Sequence, residues 1–189
     1  MCRFASAIYQ PRTLEVRVWD LNSHSATLDA LGLKDDNAPA AWREMHYLPD
    51  GTVTCAALDS DPVTAPQARA AILARWPSFA EFAVWACARA VHVDASGCAA
   101  LTRIDAPVAT RLYASGCAAL TSIDAPVAKT LYASGCAALT RIDAPMAKTL
   151  DVTRCAALTR IDAPVAKTLY ASGCAALTSI KVPVGCGMS

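Results

Sequence analysis

The sequence is short of aromatic side chains, of net charge and of long apolar runs. Aromatic residues make up 6% of its 189 residues, whereas hydrophobic residues make up 54%, so most of the apolar content is alanine, valine, leucine, isoleucine and cysteine. The formal net charge is only +1, which excludes a disordered chain and gives no basic footprint for nucleic acid. We therefore expect a folded protein with a thin, regular core and no nucleic-acid partner.

A membrane span and a secretion signal are also missing from the sequence. No stretch of about 18 uncharged apolar residues occurs, which is the length that a transmembrane helix needs. The longest candidate, Phe82 to Val93, contains Arg89 and His92. The first residues lack the apolar centre of a signal peptide. We expect a cytoplasmic protein that does not contact a membrane.

Short catalytic motifs are absent as well. The chain contains no glycine-rich dinucleotide or P-loop fingerprint, no zinc-peptidase motif and no hydrolase nucleophile motif. Its three histidines are tied to no serine or cysteine nucleophile by a motif, and we interpret them as structural. We predict no catalytic residue, no cofactor and no bound metal, and we do not expect an enzyme.

The cysteines, in contrast, mark an internal repeat. Of the nine cysteines, five are spaced 19 residues apart, at Cys98, Cys117, Cys136, Cys155 and Cys174. The segment from Cys117 reads CAALTSIDAPVAKTLYASG, and the other segments differ from it at few positions. Self-similarity at a fixed period predicts a solenoid rather than a disulfide framework.

Each repeat divides into two short strands and two corners. Alternate side chains point inward around Ile123 and around Leu131, as a strand requires. Proline at Pro126 and glycine at Gly135 suit the corners between the strands. The sequence therefore predicts a β-solenoid of about five coils, with two short parallel strands in each 19-residue coil.

The pattern C-x-x-L-x-x-I-x-x-P, which recurs over roughly residues 92 to 185, resembles short leucine-rich repeats of the bacterial or phage type. At 19 residues the repeat leaves no room for a helix on the back of the coil. Leucine-rich repeat proteins are chiefly protein-binding scaffolds, so the resemblance implies a protein partner for this chain.

The inward positions form columns of identical side chains. Leucine, isoleucine and alanine repeat in every coil, and we expect the cysteine column to be buried with them, each S–H reaching a neighbouring carbonyl at the corner. Metal binding needs converging ligands, which a single file of thiols does not supply. We interpret the cysteines as structural.

One outward face is charged. An arginine or a serine precedes the inward isoleucine and an aspartate follows it, so that both polar side chains point outward. The aspartates of successive coils form a ladder, and the arginines offset the repulsion within it. This face is either a self-neutralised, solvated surface or a patch for a charged partner. Its charged residues are Arg103, Asp105, Asp124, Arg141, Asp143, Arg160 and Asp162.

The other outward face carries tyrosines. Tyr113, Tyr132 and Tyr170 occupy equivalent positions, and such a row is either a recognition surface or plain cross-strand stacking. One repeat departs from the pattern, with Asp151 and Arg154 replacing tyrosine and the corner glycine. We predict that these five residues bind a partner protein, as in an inhibitor, an immunity-type factor or a scaffold.

Lysines at a corner of successive coils support an alternative function. Lys129, Lys148 and Lys167 are equivalent residues and would suit a small anionic ligand, for example a nucleotide, held by the solenoid or by a dimer of it. Protein binding and ligand capture therefore both remain open.

Residues 1–91 share nothing with the repeat and predict an α+β domain that caps the first coil, whereas residues 92–189 form the solenoid with a degenerate C-terminal end. That end either resists edge pairing through Lys181 and Pro183 or joins a second copy tail to tail. In the N-terminal domain we predict a strand over 13–19, a helix from Ser23 to Leu31, a hairpin around Asp50, and helices over 65–76 and 79–90 capped by Thr64 and Ser78.

Overall fold

The structure is a computed structural model that describes residues 5–18, 24–33, 41–57, 59 and 61–188. These residues form two compact units, and the boundary between the units lies between Ala86 and Cys87.

The N-terminal unit is an antiparallel sheet with helices. The sheet has the strand order β2-β1-β3-β4, so β1 lies in its interior. The elements are β1 (Ala5–Tyr9), β2 (Val16–Arg17), α1 (His24–Ala30), β3 (Arg43–Tyr47), β4 (Val53–Cys55), α2 (Ala65–Arg75) and α3 (Phe79–Cys87).

Most of the predicted N-terminal elements are present. The hairpin around Asp50 is confirmed, because β3 and β4 pair in antiparallel register. The predicted strand over 13–19 is confined to two residues, Val16 and Arg17, among those described. The prediction missed β1, although this strand pairs with both β2 and β3. The proposed cap Ser23 lies outside the described residues.

The starts of α2 and α3 are fixed by reciprocal caps. Gln67 accepts a hydrogen bond from the backbone N–H of Thr64 at 2.9 Å. Ser78 accepts one from the N–H of Glu81, whose carboxylate accepts the N–H of Ser78 in return. Both predicted caps are confirmed, since each satisfies amides that a helix leaves unpaired at its first turn. α3 ends at Cys87, three residues before the predicted end.

Large side chains make the core of this unit. The hydroxyl of Tyr47 donates to the carbonyl of Trp76 at 2.7 Å, and its ring lies 5.2 Å from that of Phe82. Arg43 and Asp61 form a buried two-point ion pair, with N–O distances of 3.0 and 2.8 Å. The aromatic residues that are scarce in the chain as a whole therefore concentrate here.

The second unit is the predicted parallel β-solenoid of about five coils. We number the coils 1 to 5 from the cysteine that begins each repeat, and every coil contributes one strand to each side. The strands are β5 (His92–Asp94), β6 (Arg103–Asp105), β7 (Arg111–Tyr113), β8 (Ser122–Asp124), β9 (Thr130–Tyr132), β10 (Arg141–Asp143), β11 (Thr149–Asp151), β12 (Arg160–Asp162), β13 (Thr168–Tyr170), β14 (Ser179–Lys181) and β15 (Gly187–Met188).

The two sides of the solenoid differ in continuity. The odd-numbered strands from β5 to β15 form one six-stranded sheet, whereas the even-numbered strands divide into a sheet of β6, β8 and β10 and a separate pair of β12 and β14. Pairing is in register, with Leu112 opposite Leu131 and Ile104 opposite Ile123. The predicted inward columns are confirmed: Leu120, Ile123 and their equivalents in coils 1 to 4 are buried.

The cysteine column is buried and hydrogen-bonded. The thiols of Cys117, Cys136 and Cys155 each donate to the backbone carbonyl of the alanine 22 residues earlier, at 3.0 to 3.1 Å. This confirms the predicted role of the column at the corner. Cys98, the first member, is disulfide-bonded, so the column of free thiols begins at Cys117.

Backbone pairing continues past the point where the sequence repeat decays. Strand β14 pairs with β12, and β15 pairs with β13, although the Pro-Val-Ala-Lys corner has become Pro-Val-Gly-Cys in coil 5. Ile180 and Met188 in this coil are 46% and 63% exposed. The ladder of backbone hydrogen bonds therefore tolerates a change of side chains better than the core does.

Alkaline pH should destabilise the protein. Burial raises the pKa of the Cys155 and Cys87 thiols from 9.0 to about 12, and that of Cys55 to about 11. A group with a raised folded-state pKa stabilises the fold below its unfolded pKa, and this contribution is lost as the pH rises through the folded pKa. As the pH rises from about 8.5 to 11, we expect the urea concentration at the unfolding midpoint to fall, and to fall less in Cys155→Ala. An identical pH dependence in the two proteins would contradict a buried, protonated Cys155.

Candidate functional site

The outward side of the six-stranded sheet, which we call the tyrosine face, brings the predicted tyrosines into one row. Because each strand has three residues with leucine pointing inward, the third residue points outward. Tyr113 and Tyr170 are 36% and 40% exposed, and Tyr132 is half-buried. The rings of Tyr113 and Tyr132 stack, with centroids 5.5 Å apart and planes 14° apart. Cross-strand stacking therefore accounts for the pair of Tyr113 and Tyr132 but not for the exposure of Tyr170.

Asp151 lies between Tyr132 and Tyr170 in register, as the repeat alignment predicted. Its carboxylate oxygen accepts the backbone N–H of Thr153 at 2.9 Å. Asp94 makes the same contact with Ser96, at 3.0 Å, in the first strand of the sheet. One oxygen of Asp151 is thus engaged in shaping the corner, and only the remainder of the carboxylate faces solvent between the tyrosines.

Arg154 occupies a backbone conformation that suits glycine. Its φ is +61°, where the equivalent Gly116, Gly135 and Gly173 have φ between +74° and +76°. A side chain in this left-handed region costs roughly 1–2 kcal/mol. Within the described chain, the exposed guanidinium of Arg154 makes no ion pair or hydrogen bond that would offset this strain.

The charged face consists of the outward side chains of β6, β8, β10, β12 and β14. Arg103, Arg141 and Arg160 each lie near the aspartate two residues on, at N–O distances of 3.9, 3.4 and 3.0 Å. The aspartate of β8, Asp124, has a serine as its neighbour. These exposed pairs neutralise the surface as expected and contribute little to stability.

One junction on the charged face is open. Between coils 1 and 2 and between coils 2 and 3, threonine N–H and hydroxyl groups donate to the threonine carbonyl of the preceding coil, as Thr121 does to Thr102 at 2.9 and 2.8 Å. In this fully described stretch, Thr159 makes neither bond to Thr140, and Ala144 does not donate to Asp162. Strands β10 and β12 are consequently unpaired, and we call this place the open junction.

The open junction forms the floor of a groove of about 670 Å³. Ile142 at its base is 9% exposed, whereas Ile104, Ile123 and Ile161 are each 1% exposed. The residues that carry charge along the groove are Arg141, Asp143, Arg160, Asp162 and Lys181. Sequence reasoning placed the arginines and aspartates on the charged face but did not anticipate the groove or the position of Lys181 in it.

The lysine column, formed by Lys129, Lys148 and Lys167, lies at the corner between the two faces. The backbones of these residues are hydrogen-bonded rung to rung, which stacks the lysines at a spacing of about 4.8 Å. All three are exposed, and none forms an ion pair with a residue that the structure describes. Like charges at this spacing repel by about 1 kcal/mol in water before the side chains diverge.

Sequence reasoning missed an exposed apolar column beside the lysines. Val108, Val127, Met146 and Val165 are 40% to 50% exposed and lie in successive coils. The signal was present in the repeat, since each follows a corner proline at a position with no inward role. These side chains extend the surface next to the lysine column with apolar area.

Two further cavities lie at the C-terminal coil and in the N-terminal unit. Leu169, Leu177 and Ile180 line a space of about 300 Å³ at the last coil, and the predicted tail-to-tail dimer remains a prediction. In the N-terminal unit, Cys55 lines a groove of about 600 Å³ beside α2. Its thiol, with a pKa raised by burial, is protonated at neutral pH and is a poor nucleophile.

No group of three or more histidine, cysteine, aspartate or glutamate side chains in the described ranges is placed to hold a metal ion. None of the helices described has the length and apolarity needed to span a membrane.

Comparison of the chain with protein-family models, curated proteins and solved structures finds no match. The geometry alone therefore defines the class of protein, a parallel β-solenoid with a repeat of about 19 residues preceded by an α+β unit.

Replacing Arg154 by glycine should stabilise the protein. The change removes a side chain from the left-handed region, and the gain exceeds the added freedom of the unfolded chain. We expect about 0.5–1 kcal/mol more stability by urea unfolding. Gly135→Ala, which places a side chain in the same conformation one coil earlier, should cost a similar amount. If Arg154→Gly destabilised the chain, Arg154 would be making a contact that offsets its strain.

Proposed function

We propose that this chain is a non-enzymatic protein-binding module, of the inhibitor, immunity-type or scaffold kind, that recognises its partner through the tyrosine face. The contact residues are Tyr132 and Tyr170 with Arg154 between them at the corner, and Tyr113 and Asp151 border them. Tyrosine supplies a large amphipathic contact area at low entropic cost, and arginine is enriched among residues that dominate protein interfaces.

The observation that carries this proposal is the strained, unpaired Arg154. Non-glycine residues held in the left-handed region concentrate at functional sites, because a purely structural position has no reason to retain the strain. Here four equivalent positions, Gly97, Gly116, Gly135 and Gly173, carry glycine with φ between +70° and +76°, so the fold itself does not require arginine. A partner that binds the guanidinium would account for the substitution.

The rigidity of the sheet also favours binding. Six strands in continuous register hold the tyrosines at fixed spacing, which reduces the entropy lost on association. The repeat resembles leucine-rich repeats in its C-x-x-L-x-x-I-x-x-P pattern, and membership of that family, whose proteins are chiefly binding scaffolds, is part of this proposal.

A second candidate function is capture of a small anionic ligand by the lysine column. The observation in its favour is the stack of three exposed lysines without ion-pair partners. A bound anion would relieve the mutual repulsion of Lys129, Lys148 and Lys167. The apolar column beside the lysines suits a ligand that has an uncharged part as well.

A cytoplasmic location belongs to the same proposal. Seven cysteines of the described chain are free, which is typical of proteins kept in a reducing compartment. The disulfide at Cys98 is the observation that opposes this location.

The test is affinity capture by the full chain from its native host, followed by mass spectrometry. The double variant Tyr132→Ser with Tyr170→Ser should lose the captured protein by at least about tenfold, because anchor residues at an interface centre typically cost 2 kcal/mol or more. Arg103→Ser, an exposed change on the charged face, is the control and should retain the partner.

Circular dichroism of each variant checks that the solenoid is intact. Recovery of the same partner by the double tyrosine variant at the level of the parent protein would overturn the tyrosine face as the binding surface. Loss of the partner in Arg103→Ser alone would assign binding to the charged face instead.

A further inference from the structure

The open junction is the place where the composition of the charged face changes. The outward column that begins each strand reads Arg103, Ser122, Arg141, Arg160 and Ser179. Arginine therefore faces serine at every junction except the one between β10 and β12, where Arg141 faces Arg160. Like charges directly opposite each other on neighbouring strands are destabilising.

The other irregularity of this region does not explain the opening. Residues 151–154, which replace the usual Tyr-Ala-Ser-Gly, keep their backbone hydrogen bonds to the neighbouring coils. The N–H of Arg154 donates to the carbonyl of Ser172, and the N–H of Gly135 donates to that of Thr153, both at 2.7 Å. Pairing on the tyrosine face is also unbroken from β9 through β11 to β13. The juxtaposed arginines are the difference that coincides with the lost hydrogen bonds.

The opening leaves hydrogen-bond donors without acceptors. The backbone N–H of Ala144, a residue that is 1% exposed, has no acceptor among the described residues. The N–H and hydroxyl of the exposed Thr159 do not donate to the carbonyl of Thr140. A buried N–H such as that of Ala144 is normally satisfied by protein, water or ligand. These donors lie at the same junction as the two guanidinium groups.

The guanidinium groups keep donors to spare. In each arginine only one terminal nitrogen contacts the neighbouring aspartate, at 3.4 Å for Arg141 and 3.0 Å for Arg160, whereas guanidinium has five N–H donors. Lys181 adds a third cation to the groove and lies 3.9 Å from Asp162. The charged lining therefore sums to one net positive charge, three cations against two carboxylates.

We propose that the open junction is a binding site for an oxyanion, in which a phosphate or carboxylate group of a small molecule bridges Arg141 and Arg160. Planar guanidinium groups recognise such groups through paired N–H donors. The anion offsets the repulsion between the arginines and accepts from the freed donors of Thr159, which lines the groove. A groove of about 670 Å³ has the size of small-molecule sites, so the anion is one group of a larger ligand. This site is separate from the tyrosine face and from the lysine column.

The experiment measures thermal unfolding and calorimetric binding of the full chain with inorganic phosphate, with citrate, and with chloride at matched ionic strength. Arg160→Ser is the test variant, because it restores the arginine–serine alternation found at the other junctions. Arg103→Ser is the matched control, since it removes the same charge from the same face at a closed junction.

We expect phosphate or citrate to raise the unfolding temperature of the parent protein and of Arg103→Ser by about 3–5 °C at about ten times Kd. Arg160→Ser should unfold at a higher temperature without anion, and should bind the anion at least about tenfold more weakly. The anion that acts identifies the group as phosphoryl or carboxylate.

Three results would overturn the proposal. The first is that neither oxyanion stabilises the protein more than chloride does. The second is equal stabilisation of all three proteins by the anion, and the third is an equal loss of anion binding in both serine variants. Equal stabilisation of all three proteins would place the anion elsewhere, as at the lysine column, and equal loss of anion binding in both serine variants would indicate general charge screening. None of these outcomes bears on the tyrosine face, so failure here is distinguishable from failure of the proposed function.

Discussion

Backbone pairing between successive coils is the interaction on which the repeat half depends. Its strands are two or three residues long, too short to be stable alone, so each coil is held by hydrogen bonds to the coil before and after it. In-register pairing then forces every side chain to stack on its equivalent. The columns of leucine, isoleucine, alanine and cysteine, and the rows of tyrosine, lysine and aspartate, are consequences of that stacking.

Stacking has opposite effects inside and outside the solenoid. Inside, identical apolar residues fill equivalent spaces, and a thiol such as that of Cys136 can also donate to a backbone carbonyl, here that of Ala114. Outside, identical charges repel, which serine relieves at Ser122 and Ser179 but not between Arg141 and Arg160. The corner tolerates a further departure, because Arg154 keeps its backbone hydrogen bond to Ser172 in spite of its strained φ. Both exceptions lie on the surface, where a ligand or partner can compensate for them.

The solenoid could be predicted from sequence because its signals repeat. One alternating triplet, such as that around Ile123, is a weak signal for a strand. Its recurrence in successive coils predicts the strands, the corners and the inward columns together. β1 was missed because Ala5, Ser6 and Ala7 have low strand propensity, and its place is decided by pairing with β2 and β3. The open junction was missed for a related reason: it depends on which residues face each other across coils, and each coil read alone is ordinary. The tyrosine row was located correctly, but the turn contact of Asp151 was not foreseen.

The side chains that face each other at a junction decide whether the backbone ladder closes there. Residue-resolved amide hydrogen exchange of the native chain tests this most directly, since unpaired amides exchange before paired ones. The amides of Thr159 and Ala144 should exchange much faster than their equivalents Thr121 and Ala125, which donate to the neighbouring coil at 2.9 and 2.8 Å. Equal protection of all four amides would contradict the account.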